Sequence, residues 1–136
     1  RFTGYYRTLL AHGLDKNSSQ FDAISTEDAG SEAIRGLIEA GELPQAIVCA
    51  SDLIAMGALR ALRQAKIKVP DDVAVVGYDN IAVSAYTTPA LTTVQQNTKL
   101  AGELLVSALL KAINNEEVDD YLMPAEVIVR QSCGSQ

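Results

Sequence analysis

Residues 73–96 read VAVVGYDNIAVSAYTTPALTTVQQ, and the first eight of them decide the fold. Val73-Ala74-Val75-Val76 is an unbroken run of small and β-branched apolar residues. A strand with one wet face alternates apolar and polar side chains. A continuous run instead predicts a strand buried on both faces, as in a parallel sheet covered by helices. The run gives way to Gly77-Tyr78-Asp79-Asn80, which puts a carboxylate and an amide at the strand's carboxyl end. In open α/β sheets the ligand crevice lies outside those ends, so Asp79 is expected at the mouth of a pocket. The competing reading is an Asp that only makes a turn before Asn80.

Working upstream, residues 46–50 (AIVCA) predict a second buried strand. Ser51-Asp52 then opens a helix that either side chain can cap, with Leu53, Met56, Leu59 and Leu62 along its apolar face. An earlier helix follows residues 26–30 and carries Ala33, Ile34, Leu37 and Ile38 on one side; Gly41 and Pro44 end it. Residues 21–25 predict a short strand. Residues 1–14 predict a helix with Phe2, Tyr5, Tyr6, Leu9 and Leu10 at helical spacing.

Downstream, residues 81–89 form an irregular loop and residues 91–96 a short extended segment. Asn97 is placed to cap a helix from Thr98 to about Asn114, striped by Leu100, Leu104, Leu105, Ala108, Leu109 and Ile113. Residues 127–129 predict a last strand. This alternation predicts an α/β fold, a three-layer and mostly parallel sheet. Right-handed crossovers place helices on both of its faces.

The bulk properties narrow the function. A chain of 136 residues allows one domain with a real core, but hardly two. No apolar stretch approaches a membrane span, so no membrane partner is expected. A formal net charge of −6 argues against this segment gripping a phosphate backbone itself. Two cysteines are too few for a disulfide framework and point to a reducing cytoplasm. Cys49, inside an apolar strand, reads as a small core residue. His12, the single histidine, sits beside the helix-ending Gly13 and reads as surface decoration.

GxSxG, GxGxxG and P-loop patterns do not occur, and one histidine with widely spaced cysteines makes no metal cluster. The expectation is a non-enzyme without cofactor or metal. Asp52, following a buried strand, could suggest a receiver-domain phosphoacceptor. The acidic pair and the late lysine that such chemistry needs are missing.

GYDN at residues 77–80, PALTTVQQ from Pro89, ASDLIAMGAL at residues 50–59 and the Val-Pro-Asp-Asp-Val approach at residues 69–73 occur here in one order. Together they resemble the effector domain of the LacI/GalR family, from Arg1 to about Arg130. The resemblance implies a periplasmic-binding-protein-like subdomain whose first, central strand is missing from this chain, so that the sheet has a gap. It implies a ligand-binding set of Arg1, Ser51, Asp52, Asp79 and Gln96. Arg1 would reach into the pocket with a planar five-donor head, and Gln96 would lie where the chain passes between the two halves of the effector domain. Helix capping would explain Ser51 almost as well as ligand binding, and for Asp52 the structural role at the helix start would dominate.

Met56, Tyr86 and Pro89 match regions of the family's subunit interface, implying a homodimer. Relatives carry sugar-stacking aromatic rings where this chain has Ser25 and Thr98, so a sugar is only the default effector, with related polar metabolites beside it. The resemblance further implies operator DNA bound through an upstream domain outside this chain. Residues 98–125 would pack on an absent partner subdomain. The resulting expectation is the effector-binding, dimerising part, residues 1–136, of a cytoplasmic transcriptional regulator, most naturally a repressor. Half of a secreted sugar receptor, or less naturally a small α/β enzyme, are the alternatives.

Overall fold

Helix and strand alternate along the chain because apolar periodicity switches repeatedly from the helical to the extended kind. In the computed structural model, which describes residues 2–15 and 18–135, helix α1 spans Phe2–Ala11, α2 Glu27–Ala40 and strand β1 Ala46–Val48. Helix α3 follows at Asp52–Gln64, then β2 at Ala74–Val76, β3 at Thr93–Gln96, α4 at Thr98–Ile113 and β4 at Ala125–Ile128. A 3₁₀ turn, Ala82–Tyr86, interrupts the loop expected between β2 and β3.

The helix ends follow the sequence signals. The Thr26 hydroxyl accepts from the Ala29 amide at 3.2 Å, and Glu27 and Asp28 place negative charge in the first turn of α2, where the helix dipole favours it. Gly41 closes α2 in the left-handed region at φ 71°. Asn97 caps α4 by accepting from the Leu100 amide at 3.0 Å.

β1 and β2 pair in parallel, Ala46 opposite Ala74 through Val48 opposite Val76. On its other edge β2 meets the segment leading into β3: Val76 bridges Thr92 in parallel, and the Gly77 amide donates to the Thr92 carbonyl at 2.9 Å. β3 pairs antiparallel with β4, Thr93 opposite Ile128. The chain end is stitched back to the centre, with the Val75 amide donating to the Ser132 carbonyl at 2.8 Å and the Ser132 hydroxyl to the Val75 carbonyl at 2.6 Å.

The core lies between this sheet and the α2–α3 pair, and comprises Ile34, Leu37, Leu59, Leu62, Val73, Val75 and Leu91 with Cys49 and three alanines. The two helices approach closely because glycine faces backbone at two points. A Cβ on Gly30 would strike the Ile54 carbonyl, and one on Gly57 the Glu27 carbonyl.

The structure corrects two expectations of local form, and it leaves Ala46 and Val48 of β1, expected as a buried strand, exposed. Residues 21–25 form no strand, and Phe21 and Ile24 are exposed. A strand exists only by pairing, and among the described residues nothing pairs with this segment. A groove of about 420 Å³ separates residues 18–23 from β1, with Tyr5 and Ile34 among its other lining residues. This groove is where the gap in the sheet was expected. The second correction concerns α3. Its buried face is Ala55, Ala58, Leu59 and Leu62, with Asp52, while Leu53 is exposed and Met56 half-buried.

The apolar stripe of α4 is largely open, with Leu105, Leu109 and Ile113 exposed. Among the described residues no helix is long and apolar enough to cross a membrane.

Candidate functional site

The carboxyl ends of β1, β2 and β3 are drawn to one end of the sheet. The Asp52 amide donates to the Tyr78 carbonyl at 2.7 Å, joining the end of β1 to the end of β2. The Asp79 amide donates to the Val94 carbonyl at 2.9 Å, joining β2 to β3. Ser51, Asp79 and Gln96 therefore ride on neighbouring strand ends, as a crevice-binding site requires.

Asp79 leaves the strand and is exposed at its end. Its backbone is unusual, with Asp79 at φ 107° and Asn80 at φ 50°, two consecutive non-glycine residues at positive φ. Asp and Asn tolerate such conformations best among residues with a Cβ. The turn is held from beneath. Asn80 donates from its amide nitrogen to the Thr93 hydroxyl at 3.2 Å and from its side chain to Gln95 Oε1 at 2.6 Å.

Asp52 plays a different part from Asp79. It is fully buried, and its two carboxylate oxygens accept from the Thr93 hydroxyl at 2.5 Å and the Ile81 amide at 2.9 Å. Both oxygens are engaged inside the protein, so its predicted contact with a ligand gives way to a structural role under the rim. Gly77 is required beside it, since a Cβ there would meet the Asp52 carboxylate.

Ser51 caps α3 by accepting from the Ile54 amide at 3.4 Å and is 6% exposed. Its hydroxyl also shares a hydrogen bond of 2.6 Å with Ser25. A hydroxyl pair thus stands at Ser25, where the resemblance implies an aromatic ring in sugar-binding relatives. Gln96 is half-buried at the end of β3, opposite Ala125. Arg1 lies outside the described residues. Of the three interface candidates, Tyr86 is 85% exposed, while Met56 and Pro89 are half-buried. Below the site, burial and then the negative charge of Asp52 push the Cys49 thiol up to about 12. No group of three metal-ligating side chains occurs among the described residues.

Sequence reading missed Asn80, Thr93 and Arg130 as site-building residues. The Arg130 guanidinium reaches the Asn80 side-chain oxygen at 2.7 Å, the Leu91 carbonyl at 2.7 Å and the Ser84 hydroxyl at 3.0 Å. Polar residues in an otherwise extended stretch were the only available signal.

The profile of the periplasmic binding protein-like domain matches residues 1–133. The transcriptional regulator RegA of Clostridium acetobutylicum is 39% identical over 133 residues, covering 95% of this chain and 39% of its own length. The solved complex of the transcriptional regulator CelR with cellobiose superimposes with a TM-score of 0.83 at 34% identity, over 96% of this chain and 41% of that one. A lac repressor dimer bound to operator and an anti-inducer does so with a TM-score of 0.87 at 26% identity, over 98% and 46%. The chain thus spans less than half the length of each of these relatives. It belongs to the periplasmic binding protein-like family, in the form that builds the effector-binding domain of LacI/GalR-type transcriptional regulators.

Proposed function

We propose that this chain is the effector-binding and dimerising part of a cytoplasmic LacI/GalR-type repressor, with no enzymatic activity of its own. The observation that carries the reading is the exposed Asp79 at the junction of three strand ends. A carboxylate there accepts paired hydroxyl or N–H groups. With the Ser25–Ser51 hydroxyls nearby, the lining favours a small, hydroxyl-rich effector, and a saccharide is the leading class. That a similar regulator is solved with cellobiose supports this class. Gln96 and Arg1 would add an amide and a guanidinium from neighbouring segments.

Dimerisation would use Tyr86, Met56 and Pro89; an 85% exposed tyrosine suits such a surface. Operator DNA would be bound by another domain, because a net charge of −6 argues against this segment gripping a phosphate backbone. Effector binding would act by favouring one arrangement of the two effector-domain halves, to the extent that it binds that arrangement more tightly.

The test is calorimetric titration of the intact protein with D-glucose, D-galactose, D-ribose and cellobiose, with and without Asp79→Ala. At least one sugar should bind, and the substitution should weaken it tenfold or more with the melting temperature held within a few degrees. Equal affinity in the variant would remove Asp79 from the site and the assignment with it.

A further inference from the structure

We propose that Arg130 is a positioning residue: it fixes the Asp79–Asn80 turn, and through that turn the direction of the Asp79 carboxylate. Its functional consequence rests on Asp79 being the ligand contact, but its geometry does not. Residues 79–91 make a long excursion between β2 and β3. Arg130 holds that excursion at its beginning, middle and end, through Asn80 Oδ1 (2.7 Å), Ser84 Oγ (3.0 Å) and the Leu91 carbonyl (2.7 Å). Ser84 is fully buried, so the guanidinium reaches into the loop's interior.

The arginine is itself anchored. Its amide donates to the Thr92 hydroxyl at 2.9 Å, and the next residue's amide donates to the Ala90 carbonyl at 3.0 Å. A guanidinium suits this place because its rigid fan of donors can serve several acceptors at once.

The turn needs such a clamp. Two successive non-glycine residues at φ 107° and φ 50° are sparsely populated conformations, which persist only when the surroundings over-determine them. The Asp52–Thr93 pair holds the backbone of Asn80 and Ile81 from one side. Arg130 holds the Asn80 side chain from the other. Arg130 also lies two residues beyond the end of β4, which pairs with β3 and returns from α4. Displacement of β4 is therefore transmitted to the pocket carboxylate, and ligand seated on that carboxylate acts back on β4 by the same linkage.

The experiment is residue-resolved amide exchange on the intact protein and on Arg130→Gln, Arg130→Lys and Asn80→Ala. Arg130→Gln should speed exchange at the Asp79 and Ile81 amides tenfold or more, leaving the Cys49 amide of the central sheet within twofold. Arg130→Lys should fall between, and Asn80→Ala combined with Arg130→Gln should add little to either alone. Unchanged exchange at Asp79 and Ile81, or equal acceleration at Cys49, would overturn the proposal. If Arg130→Gln fails to fold, Asn80→Ala decides: no acceleration at Ile81 overturns it. The readout needs no effector, so a sugar titration that fails while these amides respond would discard the functional reading alone.

Discussion

Asp52 and Asp79 are both aspartates at the carboxyl ends of adjacent strands, yet burial gives them separate roles. Full burial with both oxygens bonded makes Asp52 a fixture; exposure leaves Asp79 addressable from solvent. Cys49 feels this arrangement most directly. Burial first, and the Asp52 charge second, raise its thiol to about 12 from 9.0. The folded state therefore keeps a proton that the unfolded chain releases above pH 9. Stability from this source is complete below pH 9 and is lost as pH climbs toward 12, by at most about 1.4 kcal/mol per pH unit for one proton. Urea midpoints at pH 8 and pH 10.5 should fall further for the native chain than for Cys49→Ala. Equal falls would mean that the thiol does not couple to folding. At this scale the sequence exposed Asp79, because a carboxylate ending an apolar run is a local pattern. Arg130 was illegible, because the three acceptors it holds lie 39, 46 and 50 residues away in the chain.

Among the elements, the contact between α2 and α3 depends on hydrogen atoms where other residues carry carbon. A methyl at Gly57 would collide with the Glu27 backbone carbonyl, which cannot rotate aside as a side chain would. Gly57→Ala should therefore destabilise by about 1–3 kcal/mol, the usual cost of overpacking. Gly36 sits within α2 with open space around its Cβ position. Gly36→Ala should stabilise by about 0.5–1 kcal/mol by restricting the unfolded chain. Opposite shifts in thermal midpoint are the expected outcome, and shifts of the same sign would refute the close-approach argument. The same contact shows why α3 was only half legible. Its start could be read from Ser51 and Asp52, and Leu59 and Leu62 lie on its buried face as expected, but that face also holds Ala55, Gly57, Ala58 and Ala61, which bulky-residue periodicity undervalues beside Leu53 and Met56. Residues 21–25 were misread for another reason: strand propensity belongs to one segment, whereas pairing needs two.

For the whole molecule, the decisive quantity is surface. The chain exposes 9397 Å², whereas a compact monomer of its 14.5 kDa mass should expose about 6,900 Å². The excess, roughly 2,500 Å², is larger than a standard protein–protein interface buries in total. Exposed large apolar side chains gather in two places among others. One is the α4 stripe, where Leu105 is 71% and Ile113 65% exposed; the other is the open side of β1, where Val48 is 61% exposed and faces the groove. Patches of that size are covered in working proteins or drive association. Among the described residues only seven large apolar side chains are buried in the core, so little stabilisation offsets the chain's conformational entropy. The 136-residue chain prepared alone should accordingly melt broadly at low temperature, self-associate with rising concentration and bind a hydrophobic dye in its folded state. Sedimentation and calorimetry at several concentrations will decide. A sharp, concentration-independent transition of a monomer above about 65 °C, the upper end for ordinary mesophilic domains, would show that these faces need no cover.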